Sequence, residues 1–87
     1  MEELNNILLE VFTPDGIIFN DKVASVTLPG TKGIFSVLKN HAPIISSLIK
    51  GNMIYKVNDE PSKIEVNGGF VEVKDNVVTV CLERVIK

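Results

Sequence analysis

The chain has 87 residues, 45% of them hydrophobic and 23% charged, and its formal net charge at pH 7 is −2. This length supplies one hydrophobic core and no material for a second, and the composition is that of a folded protein, not a disordered one. Nine basic and eleven acidic residues are scattered along the chain, so the cationic stripe of a nucleic-acid-binding protein is lacking and no nucleic-acid partner is expected.

The amino terminus differs from a secretory signal. Its first six residues are acidic and polar, whereas a signal begins with basic residues followed by an apolar stretch. No run approaches the ~20 apolar residues of a membrane-spanning helix. We therefore expect the protein to stay on the side of the membrane where it is synthesised.

Apolar residues recur mostly at every second position in short runs bounded by Gly, Pro, Asn and Asp, which is the pattern of strands with one buried face. The first predicted strand covers residues 4–13. It ends at a Pro-Asp-Gly turn at 14–16, where proline presets φ and glycine tolerates a positive φ. The next predicted strands cover residues 17–19, 22–28 (closed by Pro29-Gly30) and 34–38.

Residues 44–49 carry apolar side chains at 44, 45, 48 and 49, a spacing that fits one helical turn or a bent strand. We favour a strand. The remaining predicted strands cover residues 53–57, 63–67, 70–74 and 77–83. Many short strands without a long helical pattern predict an all-β fold, a β-sandwich or flattened barrel forming a single domain over residues 1–87.

Two pairs of residues between strands make specific predictions. Asp75-Asn76 joins two alternating runs, and both residue types accept the left-handed geometry of a type I′ hairpin turn. Gly68-Gly69 predicts a corner, a bulge or a close approach of another backbone. We expect the following apolar residues to divide between the core and an exposed patch: Ile44, Ile45, Leu48, Ile49 and Met53.

The sequence contains little that could carry catalysis. The loop of residues 30–33 lacks the spacer and the Gly-Lys-Ser/Thr ending of a phosphate loop, so a plain turn is predicted. His41 is the one candidate base and has no recognisable nucleophile or carboxylate partner, which leaves a solvent-facing or turn-capping histidine or a protein contact. Cys81 cannot form an internal disulfide and is interpreted as a small apolar strand residue. No catalytic, cofactor-binding or metal-binding residue is predicted.

Two ordered segments carry a family resemblance. The first is VTLPGTKG at residues 26–33 followed by NHAP at 40–43, and the second is VNGGFVEV at 66–73 followed by NVVTV at 76–80. Together they resemble the amino-terminal β-sandwich domain of the epsilon subunit of bacterial F-type ATP synthases, called delta in mitochondria. LEVFTPDG at residues 9–16 is similar to the family's first strand and turn, so the resemblance spans residues 8–83.

The resemblance implies a sandwich of about ten strands that serves, without catalysis of its own, as a rotor subunit of the central stalk. It implies one copy per complex, at the cytoplasmic face of the bacterial inner membrane, with the gamma subunit and the membrane c-ring of a proton- or sodium-driven motor as partners. The matching ring-contact residues are Thr31, Lys32, Gly33 and Ile34, and the matching gamma-contact residues are His41, Ala42 and Pro43.

The chain also departs from the family pattern. The family commonly has acidic residues where Lys32 and Ile34 stand, which leaves ionic and apolar ring contacts open. Asn40 replaces a glycine, a mild change because asparagine also tolerates a positive φ. The family's carboxy-terminal helical hairpin has no match, so a helical carboxy-terminal domain is not expected, and ATP sensing and inhibition of hydrolysis are not transferred.

One alternative belongs to a different functional class. A free-standing β-sandwich could capture a peptide or a small ligand through the loop of residues 30–33. Deleting that loop would then abolish ligand binding and leave ATP synthesis unchanged, which separates the two hypotheses.

Overall fold

The computed structural model describes residues 4–83, and every regular element in that range is a β-strand. The strands are β1 (Ile7–Thr13), β2 (Gly16–Val23), β3 (Ser25–Gly30), β4 (Gly33–Val37), β5 (Ile44–Leu48), β6 (Gly51–Val57), β7 (Glu60–Val66), β8 (Gly69–Lys74) and β9 (Val77–Leu82). The all-β prediction is confirmed. The described range contains nine strands, whereas the resemblance implies about ten. The described residues include no helix that could span a membrane.

The strands form one curled sheet. Hydrogen-bonded neighbours follow the order β2-β1-β9-β8-β5-β3-β6-β7, and β4 pairs with β3 outside this path. All pairings are antiparallel except that of β1 with β9, which is parallel. Because β2 at one end of the path packs against β6 near the other end, the sheet folds over its own apolar face. The result is the predicted sandwich.

Alternation along the strands builds the core, since successive side chains in a strand point to opposite faces of the sheet. In β9, Val78, Val80 and Leu82 are buried, and in β8 Val71 and Val73 are buried. No polar or charged residue among those described is buried. Apolar burial, worth roughly 25 cal/mol per Å², therefore holds the two layers together.

The seam between β2 and β6 is closed by a ring contact and by backbone bonding. The rings of Phe19 and Tyr55 lie with their centroids 4.6 Å apart at an interplanar angle of 48°, a tilted geometry that aromatic pairs favour. Just beyond the end of β2, the Ala24 N–H donates to the Lys56 carbonyl over 2.7 Å. These contacts hold the sandwich shut along this side.

The predicted division of residues 17–28 into two strands broken before Lys22 is wrong. β2 runs without interruption from Gly16 to Val23, and the break falls at Ala24. The exposed polar residues in the middle of β2 resemble a loop in sequence, but they face solvent on an edge strand whose whole length pairs with β1, through an irregularity between Val11 and Phe12. Pairing with a neighbour therefore overrides local polarity.

The prediction that Pro29-Gly30 closes a strand is also wrong. Both residues belong to β3 and are buried. Proline cannot donate to the ladder, but the Pro29 carbonyl accepts from the Ile49 N–H over 2.9 Å. The predicted link at residues 58–62 is also too long. Residues 60–62 belong to β7, and only Asn58 and Asp59 join β6 to β7.

The other predicted elements agree with the structure to within a few residues. Residues 44–48 form a strand, as favoured over a helical turn. Asp75 and Asn76 have φ values of 51° and 63°, which confirms the hairpin geometry. Gly68 and Gly69 have φ values of 129° and 140° and form the corner that leads into β8. Residues 1–3 and 84–87 of the predicted domain lie outside the described range.

Candidate protein-binding site

The loop predicted to meet the c-ring is the tight turn between β3 and β4. Thr31 and Lys32 form the turn, and all four residues of positions 31–34 are exposed. Gly30 pairs with Gly33 at the base of this turn, where a Cβ on Gly30 would lie 2.9 Å from the Gly33 carbonyl oxygen. The plain turn predicted here is confirmed, and a glycine at 30 is what lets its two strands approach.

Hydroxyl groups tie this turn to β5. The Thr31 and Ser47 hydroxyl oxygens lie 2.7 Å apart, and the Thr31 N–H donates to the Ser47 carbonyl oxygen over 3.1 Å. The residue before the turn, Gly30, is also tied to β5, because it pairs with Leu48. The turn is therefore fastened to the sheet at its base and held in one position.

A groove of about 510 Å³ lies between this turn and β5. Its two most exposed large apolar walls are Ile34, which is 79% exposed, and Ile45, which is 74% exposed. Half-buried Phe35 and Ile44 line it as well and pack against the core. The structure thus places all four predicted ring-contact residues around one largely apolar depression.

His41 lies in the loop between β4 and β5 and is half-buried. Its backbone N–H donates to the Leu38 carbonyl over 3.1 Å, and its ring Nδ1 lies 2.6 Å from the Ala42 carbonyl oxygen. Because a carbonyl oxygen only accepts, Nδ1 carries the proton in this contact. The ring therefore stabilises its own turn, and contact with another protein stays a prediction.

The His41 loop is held in place by a reciprocal pair of asparagines. The Asn40 N–H donates to Asn76 Oδ1 over 2.7 Å, and Asn76 Nδ2 donates to Asn40 Oδ1 over 3.3 Å. The Asn76 carbonyl accepts from the Leu8 N–H over 2.9 Å. One turn residue thus connects β1, the β8–β9 hairpin and the His41 loop. Sequence reasoning assigned Asn76 only a turn role.

We expect Asn76→Gly to loosen the His41 loop and to leave the hairpin intact. Glycine keeps the positive φ at no steric cost but removes both side-chain bonds to Asn40. Losing a hydrogen bond of about 1 kcal/mol corresponds to roughly fivefold faster amide hydrogen exchange at Asn40. Exchange followed by NMR measures this directly.

The matched control is Asn58→Gly. Asn58 also has a positive φ, 56°, at the β6–β7 turn. It forms a reciprocal pair with Asn5, through Asn5 Nδ2 to Asn58 Oδ1 at 2.9 Å and the Asn58 N–H to Asn5 Oδ1 at 2.7 Å. This variant is expected to accelerate exchange at its own turn alone. Equal acceleration of Asn40 exchange in both variants would contradict the assigned role of Asn76.

The two predicted contact loops lie at opposite ends of β5. Residues 41–43 immediately precede the first residue of β5, Ile44, and its last residue, Leu48, pairs with Gly30 at the base of the other loop. The four steps of about 3.4 Å between the five residues of β5 place these ends roughly 14 Å apart. The structure therefore keeps the two loops separate but connects them through one short strand.

The apolar patch predicted around β5 divides as expected. Leu48 and Met53 are buried, Ile45 and Ile49 are exposed, and Ile44 is half-buried. Sequence reasoning did not assign Ile45 or Ser47 to the ring-contact site. The irregular apolar spacing of 44–49 gave no signal for which residues point outward, since that depends on the pairing of β5 with β8.

Cys81 lies on a strand, in agreement with its interpretation as an apolar strand residue. It is half-buried on the outer face of β9, where it pairs with Phe70 of β8 and Phe12 of β1. Phe70 is 54% exposed and Ile17, the partner of Phe12 on β2, is 56% exposed. An apolar row therefore crosses four adjacent strands on the outside of the sandwich.

Sequence comparison identifies a family for nearly the whole chain. The family model described as the β-sandwich domain of the ATP synthase delta/epsilon chain matches residues 6–87. The chain is 45% identical over 75 residues to the ATP synthase epsilon chain of Nitratidesulfovibrio vulgaris, covering 86% of this chain and 56% of that protein. It is 46% identical over 72 residues to the epsilon chain of Desulfitobacterium hafniense, covering 83% and 54%. It thus spans about half the length of these relatives.

Solved structures show the same fold. A chain of the Euglena gracilis mitochondrial ATP synthase, solved as OSCP/F1/c-ring, superposes with a TM-score of 0.87 at 24% identity, covering 94% of this chain and 53% of that one. A chain from the central stalk and c-ring of the Tetrahymena thermophila mitochondrial ATP synthase gives a TM-score of 0.80 at 14% identity, covering 99% and 69%. At these identities the likeness concerns the fold alone.

Proposed function

Because this chain belongs to the family of ATP synthase delta/epsilon chain β-sandwich domains, we propose that it is a rotor subunit of the central stalk. In this proposal it links the gamma subunit to the membrane c-ring and has no catalytic activity of its own. One copy per complex lies at the cytoplasmic face of a bacterial inner membrane and turns with the ring, driven by protons or sodium ions. Residues 1–87 act as one structural unit.

The observation that carries the proposal is the arrangement of the two contact loops around β5. A linker between two partners needs two separate docking points held at a fixed distance. The turn at 31–34 and the loop at 41–43 stand at opposite ends of one short strand, and each is fastened, by Thr31 to Ser47 and by Asn40 to Asn76. This geometry supports the ring contact at the first loop and the gamma contact at the second.

Coupling by such a subunit is mechanical. A contact that transmits torque has to keep its shape under load, and solvent-exposed ion pairs contribute less than about 1 kcal/mol each. A broad fit with an apolar centre is better suited. The exposed Ile34 beside Lys32 therefore favours an apolar ring contact over the ionic one that is common in the family.

The hydrogen bonds of His41 support a structural role. Its ring Nδ1 donates to the carbonyl of the next residue, Ala42, over 2.6 Å, and its backbone N–H donates to the Leu38 carbonyl over 3.1 Å. The ring stabilises the loop that we assign to gamma binding, which is a structural contribution to the interface.

Co-purification tests the proposal. We expect the tagged chain to bring down gamma and the ring from solubilised membranes. Ile34→Glu is expected to lower ring recovery roughly tenfold or more, because a charged carboxylate then replaces the apolar side chain in the contact, while gamma recovery is kept. His41→Ala is expected to lower gamma recovery instead.

The matched control is Ser62→Glu, which adds the same charge at an exposed position of β7, two strands beyond β3 in the sheet order. This variant is expected to recover both partners at the level of the unaltered chain. Recovery of neither gamma nor the ring by the unaltered chain would refute the stalk assignment. The test measures the recovery of the two partners alone, so none of the three variants has to lose ATP synthesis.

A further inference from the structure

Strand β7 ends the path of paired strands, so one of its two edges has no strand beside it among the described residues. Its other edge pairs with β6 along its whole length, from Val66 with Gly51 to Glu60 with Val57, and most of the strand is exposed. A free edge presents unpaired backbone N–H and C=O groups, to which another extended strand can bond. The residues on this edge therefore decide whether it pairs with a second copy of the chain.

The backbone of Lys56 shows which residues of β7 face the free edge. The Lys56 carbonyl accepts from the Ala24 N–H over 2.7 Å, and Ala24 directly precedes β3, so this carbonyl points away from β7. Lys56 pairs with Pro61, and this pair is therefore one that forms no backbone hydrogen bonds. Bonded and non-bonded pairs alternate along an antiparallel ladder. Pro61, Lys63 and Glu65 thus all direct their backbone groups to the free edge.

Proline removes a donor from this edge. Pro61 has no N–H, and an edge position whose N–H side faces solvent is where a sheet tolerates proline. The pairing with β6 loses nothing, because the pair of Pro61 with Lys56 forms no backbone hydrogen bond. A strand that approached from outside would find an acceptor at position 61 and no donor.

Charged side chains occupy the other two positions of the edge, since Lys63 and Glu65 are both exposed. A second copy that pairs antiparallel and symmetrically about Lys63 places Lys63 against its own counterpart and Pro61 against Glu65. Like charges directly opposite each other destabilise a pair of strands, and each pair with Pro61 lacks one hydrogen bond. The register that pairs all three edge residues is therefore opposed at every pair.

The other registers are unfavourable or short. Pairing Pro61 with Lys63 of a second copy loses a donor in both pairs, and parallel pairing in register places each charge against its own kind. Pairing Lys63 with Glu65 brings opposite charges together, but it engages only these two residues of each strand. Even a complete hairpin of two strands is marginally stable in water, so a contact of this length does not hold two domains together.

We propose that Pro61 and Lys63 keep the free edge of β7 from pairing with a second copy of this chain. The two residues act in different ways, since Pro61 withholds a hydrogen-bond donor and Lys63 repels its own counterpart. This inference is independent of the stalk assignment. Replacing both residues is expected to turn β7 into a site of self-association.

Amide hydrogen exchange of the unaltered chain tests the geometry. The N–H groups of Ser62 and Ile64 bond to β6, whereas those of Lys63 and Glu65 face solvent. We expect Lys63 and Glu65 to exchange at least roughly tenfold faster than Ser62 and Ile64, because only the bonded amides need an opening of the sheet. Equal protection of all four amides would overturn the proposal.

Sedimentation equilibrium of a double variant tests the effect on association. Pro61→Thr combined with Lys63→Thr restores the donor, removes the repulsion and introduces residues that favour strands. We expect the association constant of this variant to exceed that of the unaltered chain roughly tenfold or more. The amides at positions 63 and 65 are expected to gain protection from exchange as dimer forms, and thermal melting verifies that the variant folds.

The matched control combines Pro14→Thr with Lys56→Thr, the same two exchanges at exposed positions away from this edge. Pro14 lies in the β1–β2 turn, and Lys56 lies on β6 between β3 and β7. This control is expected to associate no more than the unaltered chain. Equal association of both double variants would refute the proposal, as would a folded edge variant that stays monomeric. Association without added protection at positions 63 and 65 would place the contact elsewhere and refute it too.

Discussion

Gly69→Ala is expected to destabilise the domain severely. Gly69 has a φ of 140°, a conformation that side-chain-bearing residues rarely adopt, at a cost of roughly 1–3 kcal/mol. In addition, a Cβ at this position would collide with the backbone carbonyl oxygen of Cys81 and lie 3.0 Å from the Leu82 Cα. Because β9 is central in the sheet, it cannot move aside without breaking its pairing with β1. Relieving the collision adds a further ~1–3 kcal/mol.

Urea unfolding of Gly69→Ala beside Gly16→Ala separates the two costs. Gly16 has a φ of 124°, and a Cβ there meets nothing within 4 Å, so its substitution carries only the backbone strain. We expect the unfolding free energy to fall by roughly 1–3 kcal/mol for Gly16→Ala and by about twice that for Gly69→Ala. Equal losses would show that β9 yields without cost and that the close contact of Gly69 with Cys81 is unimportant.

Leu9→Ala is expected to lower the unfolding free energy by about 2–5 kcal/mol. Leu9 is fully buried in β1, between β2 and β9, where the surrounding strands cannot collapse into the space that the lost side chain leaves. Folded domains are stable by only about 5–15 kcal/mol, so a large share of the total is lost. At about 4–8 °C per kcal/mol in a domain of this size, calorimetry should record a fall in melting temperature of at least roughly 8 °C.

Leu38→Ala removes the same atoms from a side chain that is 59% exposed. Surface substitutions of this kind change stability by no more than about 0.5 kcal/mol, so the melting temperature is expected to stay within roughly 4 °C of that of the unaltered chain. Comparable losses in the two variants would mean that Leu9 is not a core residue. The pair thus tests the two-layer architecture with a single type of substitution.

The fold was largely predictable where local chemistry decides the conformation. Apolar alternation predicted a strand at residues 77–83, where the structure has β9, and the turn residues Asp75 and Asn76 adopt the left-handed geometry that their types accept. The errors fall where a neighbouring strand decides. The polar middle of β2 is a strand because β1 pairs with it along its whole length, and buried Pro29 stays in β3 because its carbonyl bonds to Ile49.

The candidate site was predictable only in part. The positions of both loops followed from the family motifs, but their fastening did not. Thr31 meets Ser47 and Asn40 meets Asn76 across long stretches of chain, and no local pattern encodes such pairs. Likewise, Ile45 differs from Leu48 in exposure only because β8 fixes which face of β5 points inward. Contacts of this kind become visible once the register of the sheet is known.

The parallel pairing of β1 with β9 also affects how the domain is made. Leu8 pairs with Val77, so β1, once it has left the ribosome, lacks one of its two neighbours until β9 emerges. At about 5–20 residues per second, this wait lasts roughly 3–14 s. Throughout that time the nascent β1–β2 hairpin presents an unpaired edge that favours aggregation. Slow translation or a pause between β8 and β9 would therefore be expected to increase the need for chaperones.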